Sequence, residues 1–222
     1  LLGGLVAGAG PLAVREAPLN PDGEAYEINS DGAGMLLVSD YGADEIRRVN
    51  PLTGAYEAFN VPYPGDARGD ASGRIWFTDA VDVFASLDPT TGALTSWSAG
   101  EAEDVSLYGV AFDDSGRVWM TEWFGFASSL HRFDPDTNQL CSYALPGGVN
   151  SYYILYRNGA VWFSNWGNSR IYRFDIATEQ AQRWQLTAGA SPTGMDFDTW
   201  GNLWWADEGT EALVRLNPST DQ

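Results

Sequence analysis

Not one of the 222 residues is a lysine. All twelve positive side chains are arginine, set against thirty aspartates and glutamates, for a net charge of −18 and a pI near 4.1. Nucleic acid and anionic membrane surfaces both need a basic patch, so neither is an expected partner. The single cysteine, Cys141, excludes an intrachain disulfide and reads as a small packed side chain in an alternating run. One histidine, His131, leaves no Cys/His zinc spacing, and neither a P-loop, a Gly-x-Ser-x-Gly motif nor an Asn-x-Ser/Thr sequon occurs. No segment keeps helical apolar spacing over ten residues. The apolar run at the start, "LLGGLVAGAGPLAV", is 14 residues long and too short to span a bilayer.

What is present is repetition. "GMLLVSDY" (34–41), "GRIWFTDA" (73–80), "GRVWMTEW" (116–123), "GAVWFSNW" (159–166) and "GNLWWADE" (201–208) are one phrase written five times, with leading glycines 39, 43, 43 and 42 residues apart. A period near 42 marks a repeat architecture. After each phrase comes an alternating segment such as "EIRRVNP", "FASLDP", "LHRFDP", "IYRFDI" or "LVRLNP", then a short run holding an aromatic, such as "ALTSWSAG" or "AQRWQLT". Before each phrase lies a fourth run, as in "YGVAFDDSG". Four short alternating runs divided by Gly, Asp, Asn and Pro turns predict four antiparallel strands per unit. The fold class is therefore all-β: a five-bladed β-propeller of four-stranded antiparallel blades.

The fifth unit stops after its third strand, at "LVRLNPSTDQ", while "LAVREAPLN" (12–20) has the look of an unattached outer strand. The simplest closure uses residues 12–20 to complete the last blade, removing an open sheet edge. Residues 1–11 are then an apolar tail and residues 12–222 the propeller; a seven-bladed ring would need about 80 further residues at this period.

The blade "GVAFDDSGRVWMTEW…LHRFDPDTNQLCSYALP" resembles that of the virginiamycin B lyase (streptogramin lyase) family, and similar units occur in NHL and gluconolactonase-like propellers. The resemblance implies the propeller fold; the motifs are scaffold and carry no activity by themselves. The lyases are seven-bladed and use a divalent cation with histidine and glutamate. Here His131 falls in the third strand of its blade, where other copies carry Arg47, Tyr172 and Val214, so a structural role is expected for it.

Each phrase ends on a carboxylate or amide: Asp40, Asp79, Glu122, Asn165 and Asp207. Five equivalent positions on one face would repel unless screened, protonated or bridged, and Ca²⁺ or Mg²⁺ takes oxygen ligands of this kind. The other reading is that each caps its own turn by accepting backbone N–H bonds. Trp76, Trp119, Trp162 and Trp204, with Leu37, form a column expected to pack between blades. Tyr41, Tyr108, Trp123, Phe124, Tyr152, Tyr153 and Trp166 stand outside that column and are candidates for a cup holding a sugar or another small molecule, or for a protein contact.

Three functions fit. The first is a non-catalytic, secreted or cell-surface binding or self-assembling module. The second is a metal-dependent lyase or lactonase with Glu122 or Asp207 as base. The third is a purely structural subunit. "Ala7-Gly8-Ala9" has the small-x-small look of an export-signal cleavage site. Burial of Leu1, Leu2, Leu5 and Val6 against another copy of the chain would give a head-to-tail assembly.

Overall fold

The computed structural model describes residues 23–79, 82–100, 105–125, 129–145 and 150–220, and every regular element among them is a β-strand. The first blade is β1 (Ala25–Ser30), β2 (Leu36–Asp40), β3 (Glu45–Val49) and β4 (Tyr56–Asn60). The second is β5 (Pro64–Gly69), β6 (Ile75–Asp79), β7 (Val83–Leu87) and β8 (Leu94–Ser98). The third is β9 (Val105–Phe112), β10 (Val118–Gly125), β11 (Ser129–Asp134) and β12 (Gln139–Ala144). The fourth is β13 (Ser151–Arg157), β14 (Ala160–Asn165), β15 (Arg170–Asp175) and β16 (Gln180–Gln185). The fifth is β17 (Pro192–Phe197), β18 (Leu203–Asp207) and β19 (Ala212–Leu216). Each blade is one antiparallel sheet in chain order, and together they make a five-bladed β-propeller, as the repeat predicts. The outer strand expected at residues 12–20 and the tail residues Leu1, Leu2, Leu5 and Val6 lie outside the described residues.

The repeat motifs hold the hairpins. In the Asp-x-x-Gly turn of the second blade, Asp70 Oδ1 accepts the N–H groups of Ser72 (2.8 Å) and Arg74 (3.0 Å). Its Oδ2 takes the Trp76 indole N–H at 2.8 Å. Gly73 closes the turn at φ 86°, a conformation glycine adopts without a Cβ penalty. Asp113 with Trp119, and Asp198 with Trp204, repeat the arrangement. In the first blade Leu37 replaces the tryptophan, and the free oxygen of Asp31 pairs with Arg48 instead, at 2.8 Å.

Trp76, Trp119 and Trp162 pack between blades, as expected; Trp204, at the same position of the fifth blade, is only half-buried. Trp76 stacks on Trp97 of its own outer strand and meets Phe133 of the third blade; Trp119 does the same with Tyr143 and Phe174, and Trp162 with Trp184 and Phe197. Apolar clusters fill the joints between the first and second, second and third, third and fourth, and fourth and fifth blades. Among the described residues no comparable packing joins β17 to β1.

That seam shows in single positions. Ala67, Val110, Ile154 and Met195 occupy equivalent sites on the innermost strands and are 0–4% exposed, whereas Ile28 in the first blade is 60% exposed. On the other side of the seam, Ile46, Phe84, Leu130 and Ile171 are at most 1% exposed, and their fifth-blade counterpart Leu213 is 71% exposed.

Candidate functional site: an aromatic mouth on the propeller axis

Four of the phrase-ending residues cap turns. Asp40 accepts the N–H groups of Glu24 (2.8 Å) and Ala43 (3.0 Å) and pairs with buried Arg47 at 2.7 Å. Asp79 accepts the Val83 N–H at 2.9 Å. Asn165 accepts from Asn168 N–H and donates to the Ser151 hydroxyl, both at 3.1 Å. Asp207 accepts Ser191 N–H, Thr210 N–H and the Thr210 hydroxyl at 2.9–3.0 Å. Burial opposes the charge on Asp207, but these donors outweigh it and hold the carboxyl below its usual range. Glu122 lies 3.5 Å from the Nε2 of His131, whose Nδ1 meets the Ser142 hydroxyl at 2.9 Å.

His131 thus occupies the third-strand position that Arg47 holds in the first blade, facing the phrase-ending acid of its own blade. It is 3% exposed, buried within its own blade. Among the described residues no three His, Cys, Asp or Glu side chains converge as a metal set. Among the described residues Asp40, Asp79, Glu122, Asn165 and Asp207 are thus not gathered into a Ca²⁺ or Mg²⁺ set: at least four of them accept N–H or O–H donors of their own turns, and Asp40 pairs with Arg47.

The aromatic candidates behave differently. In every blade the register between the innermost strand and its neighbour slips near the end that carries the phrase-ending residue. Such bulges bend a strand and re-aim its side chains. The equivalent positions at the slip are Tyr26, Gly65, Tyr108, Tyr152 and Thr193, and all five border one of two adjoining cavities of about 290 and 150 Å³. Trp123 borders both, and Tyr41 and Trp166 border one each. Tyr108 and Tyr152 stack at 4.3 Å, and Trp123 stands edge-on to both, at 5.3 and 5.7 Å. Phe124 stacks on Trp123 and is 58% exposed. Tyr41 packs on Tyr63. Tyr153 is turned away from the mouth and lies under the Arg68 guanidinium, 5.2 Å from its ring centroid.

Beneath the mouth a polar network crosses the axis. The Tyr108 hydroxyl donates to Glu27 at 2.6 Å; its oxygen lies 3.0 Å from that of Tyr152, which lies 3.0 Å from that of Tyr26. Burial raises the Glu27 carboxyl above its usual range, and Asp66 adds to this, while the Tyr108 hydrogen bond and Arg68 pull the other way. Burial first, then the Glu27 charge, pushes the Tyr108 phenol far upward, so it stays a neutral donor. Asp66 accepts Val110 N–H (2.8 Å) and the Asn29 amide (2.5 Å), tying three blades together.

Tyr26 and Glu27 were not among the sequence candidates. Aligning "EAYEIN" with "SLYGVA" and "NSYYIL" puts Tyr26 in the column of Tyr108 and Tyr152, so a signal existed in the fourth run of the repeat.

No protein-family model matches the sequence, and no curated protein matches it. Solved structures do match in fold. A catalytically inactive virginiamycin B lyase from Staphylococcus aureus, determined with quinupristin, is similar over 92% of this chain and 70% of its own, with a TM-score of 0.80 and 21% identity. A streptogramin B lyase is similar over 90% and 67%, with a TM-score of 0.79 and 24% identity. The extracellular domain of a hybrid two-component system from B. thetaiotaomicron is similar over 89% of this chain and 26% of that one, with a TM-score of 0.70 and 15% identity. The resemblance carried by the blade motifs is thus one of architecture: the chain is a β-propeller that shares the fold of the streptogramin lyases.

Proposed function

We propose that the protein is a non-catalytic extracellular binding module that holds a small ring-bearing ligand in the aromatic mouth of its axis. One observation carries this reading: Tyr26, Tyr108, Trp123 and Tyr152, from three different blades, converge on adjoining cavities where half-exposed aromatic faces remain. A concave, mostly apolar surface with a few convergent polar groups is the default form of a small-molecule site. The non-catalytic part is supported by His131, buried between Glu122 and Ser142, and by the acids Glu122 and Asp207, which the enzymatic reading would use as base but which are buried in their own blades. The extracellular part is supported by the likeness to an extracellular domain, and no helix among the described residues is long and apolar enough to cross a membrane.

A second reading has one observation in its favour. Glu27, with its raised pKa and a Tyr108 partner, is the described acid best suited to general acid–base work at the mouth. Quinupristin, the molecule bound in the similar lyase structure, serves as the probe for both. Trp fluorescence titration should show saturable binding that Trp123→Leu abolishes, with the probe recovered intact by chromatography. Absence of binding sinks the proposal. Ring opening that disappears in Glu27→Gln, with binding retained, replaces it by the enzymatic reading.

A further inference from the structure

We infer that the mouth selects a ligand carrying an alkylated ammonium group, an inference that rests on the mouth being a ligand site. Shape is the first reason. Tyr26 and Tyr108 meet at 83°, and Tyr108 and Trp123 at 79°. Rings at right angles make a corner that offers faces in several directions; a flat ligand wants two parallel faces, whereas a rounded tetrahedral cation fills a corner.

Charge is the second reason. The larger cavity is bordered by Glu24 and the smaller by Glu208, and neither is bordered by an arginine or histidine among the described residues. Glu27 lies behind the Tyr108 hydroxyl. Of the arginines, Arg47 is committed to Asp40 and Glu45, and Arg68 lies against Asp66 and the Tyr153 ring. A pocket walled by aromatic faces, whose charged bordering groups among the described residues are carboxylates, repels anions and leaves a neutral ligand's charge complement unused. An organic cation uses both, through the negative ring faces and the rim. Methyl or alkyl groups on the nitrogen suit the apolar walls and lower the cost of leaving water relative to a bare ammonium.

The test compares choline with its neutral carbon isostere, 3,3-dimethyl-1-butanol, by calorimetry and Trp fluorescence at low salt. Choline is expected to bind about tenfold or more tightly than the isostere, in line with a desolvated cation–aromatic contact. The double variant Glu24→Gln/Glu208→Gln should weaken choline severalfold and leave the isostere unchanged; both side chains are exposed, so folding is not at risk. Equal binding of the two probes, or no binding of either, overturns the inference. If quinupristin still binds in that event, the mouth stands as a ligand site and only its charge preference has failed; if quinupristin also fails, the site itself is wrong.

Discussion

The fourth and fifth blades are built from the same phrase, yet one is covered and the other is not. Trp162, Ser164 and Ile171 of the fourth blade face the fifth and are 0–4% exposed. Their counterparts Trp204, Ala206 and Leu213 face the seam; Trp204 is half-buried and the other two are exposed. The local structure is nevertheless the same: β18 and β19 pair in the same register as β14 and β15. Hairpin formation in this molecule is therefore a property of the single repeat, set by its turns. Burial is a property of the neighbour. That is the behaviour expected of a repeat protein, whose stability is a sum of unit and interface terms.

The largest effect separating the two blades should come from deleting the shared aliphatic position. Ile171→Ala removes a fully buried side chain and should cost about 2–5 kcal/mol. Leu213→Ala should stay within about 0.5 kcal/mol. Urea denaturation of the two variants decides it, and equal losses would mean the seam is covered in solution.

A smaller difference is expected at the preceding phrase position, where Thr78 and Thr121 stand opposite Ala206 of the fifth blade. The Thr121 hydroxyl donates to the Tyr152 carbonyl of the next blade at 2.8 Å and accepts Gly109 N–H at 2.9 Å. Thr121→Val leaves both groups unpaired and should cost about 1–3 kcal/mol in the same experiment. Ala206→Thr places a hydroxyl at an exposed position where no blade among the described residues receives it, and should change stability by no more than about 0.5 kcal/mol.

The smallest effect is electrostatic. Asp198, capping the fifth blade's Asp-x-x-Gly turn, has its carboxyl lowered from 3.8 to about 2: burial works against the charge, and Asn202, Trp204 and Trp200 donors overcome it. Asp31 and Asp207 are lowered in the same way. A carboxyl depressed in the folded state contributes stability above its unfolded value, and that contribution is lost as pH falls toward the folded value. The acid limb of stability, between about pH 4 and pH 2, should therefore flatten in Asp198→Asn. Glu27 has the opposite sign: its raised pKa makes ionisation cost stability as pH rises above its ordinary 4.5, so Glu27→Gln should gain stability at neutral pH. Melting curves against pH test both.

The fold was legible because its determinants are local. Asp-x-x-Gly turns, the Asp/Asn-Pro turns and period-two runs recur every 42 or so residues and need no knowledge of the rest of the chain. The phrase-ending residues were read for both of their possible roles; the phrase itself does not show their surroundings, which are turn N–H donors and, for two of them, a third-strand side chain seven or nine residues downstream, Arg47 against Asp40 and His131 against Glu122. Tyr108, Trp123 and Tyr152 were legible as aromatics too many for the core. Their convergence with Tyr26 was not, because it depends on a register slip in each innermost strand and on contact between residues up to 126 positions apart. The open seam was equally hidden, since Ile28 and Leu213 look like every other core position in their columns.

The claim that function resides at the axial mouth is tested most directly by oxidative footprinting of tryptophans with and without saturating probe. Trp123 and Trp166 border the mouth, while Trp200 is 86% exposed beside the separate hollow formed with Arg157 and Phe197. The expected result is protection of Trp123 and Trp166, with Trp200 oxidised at an unchanged rate. Protection of Trp200 or Trp204 instead, with Trp123 and Trp166 unaffected, would contradict it and move the ligand to the rim or the seam.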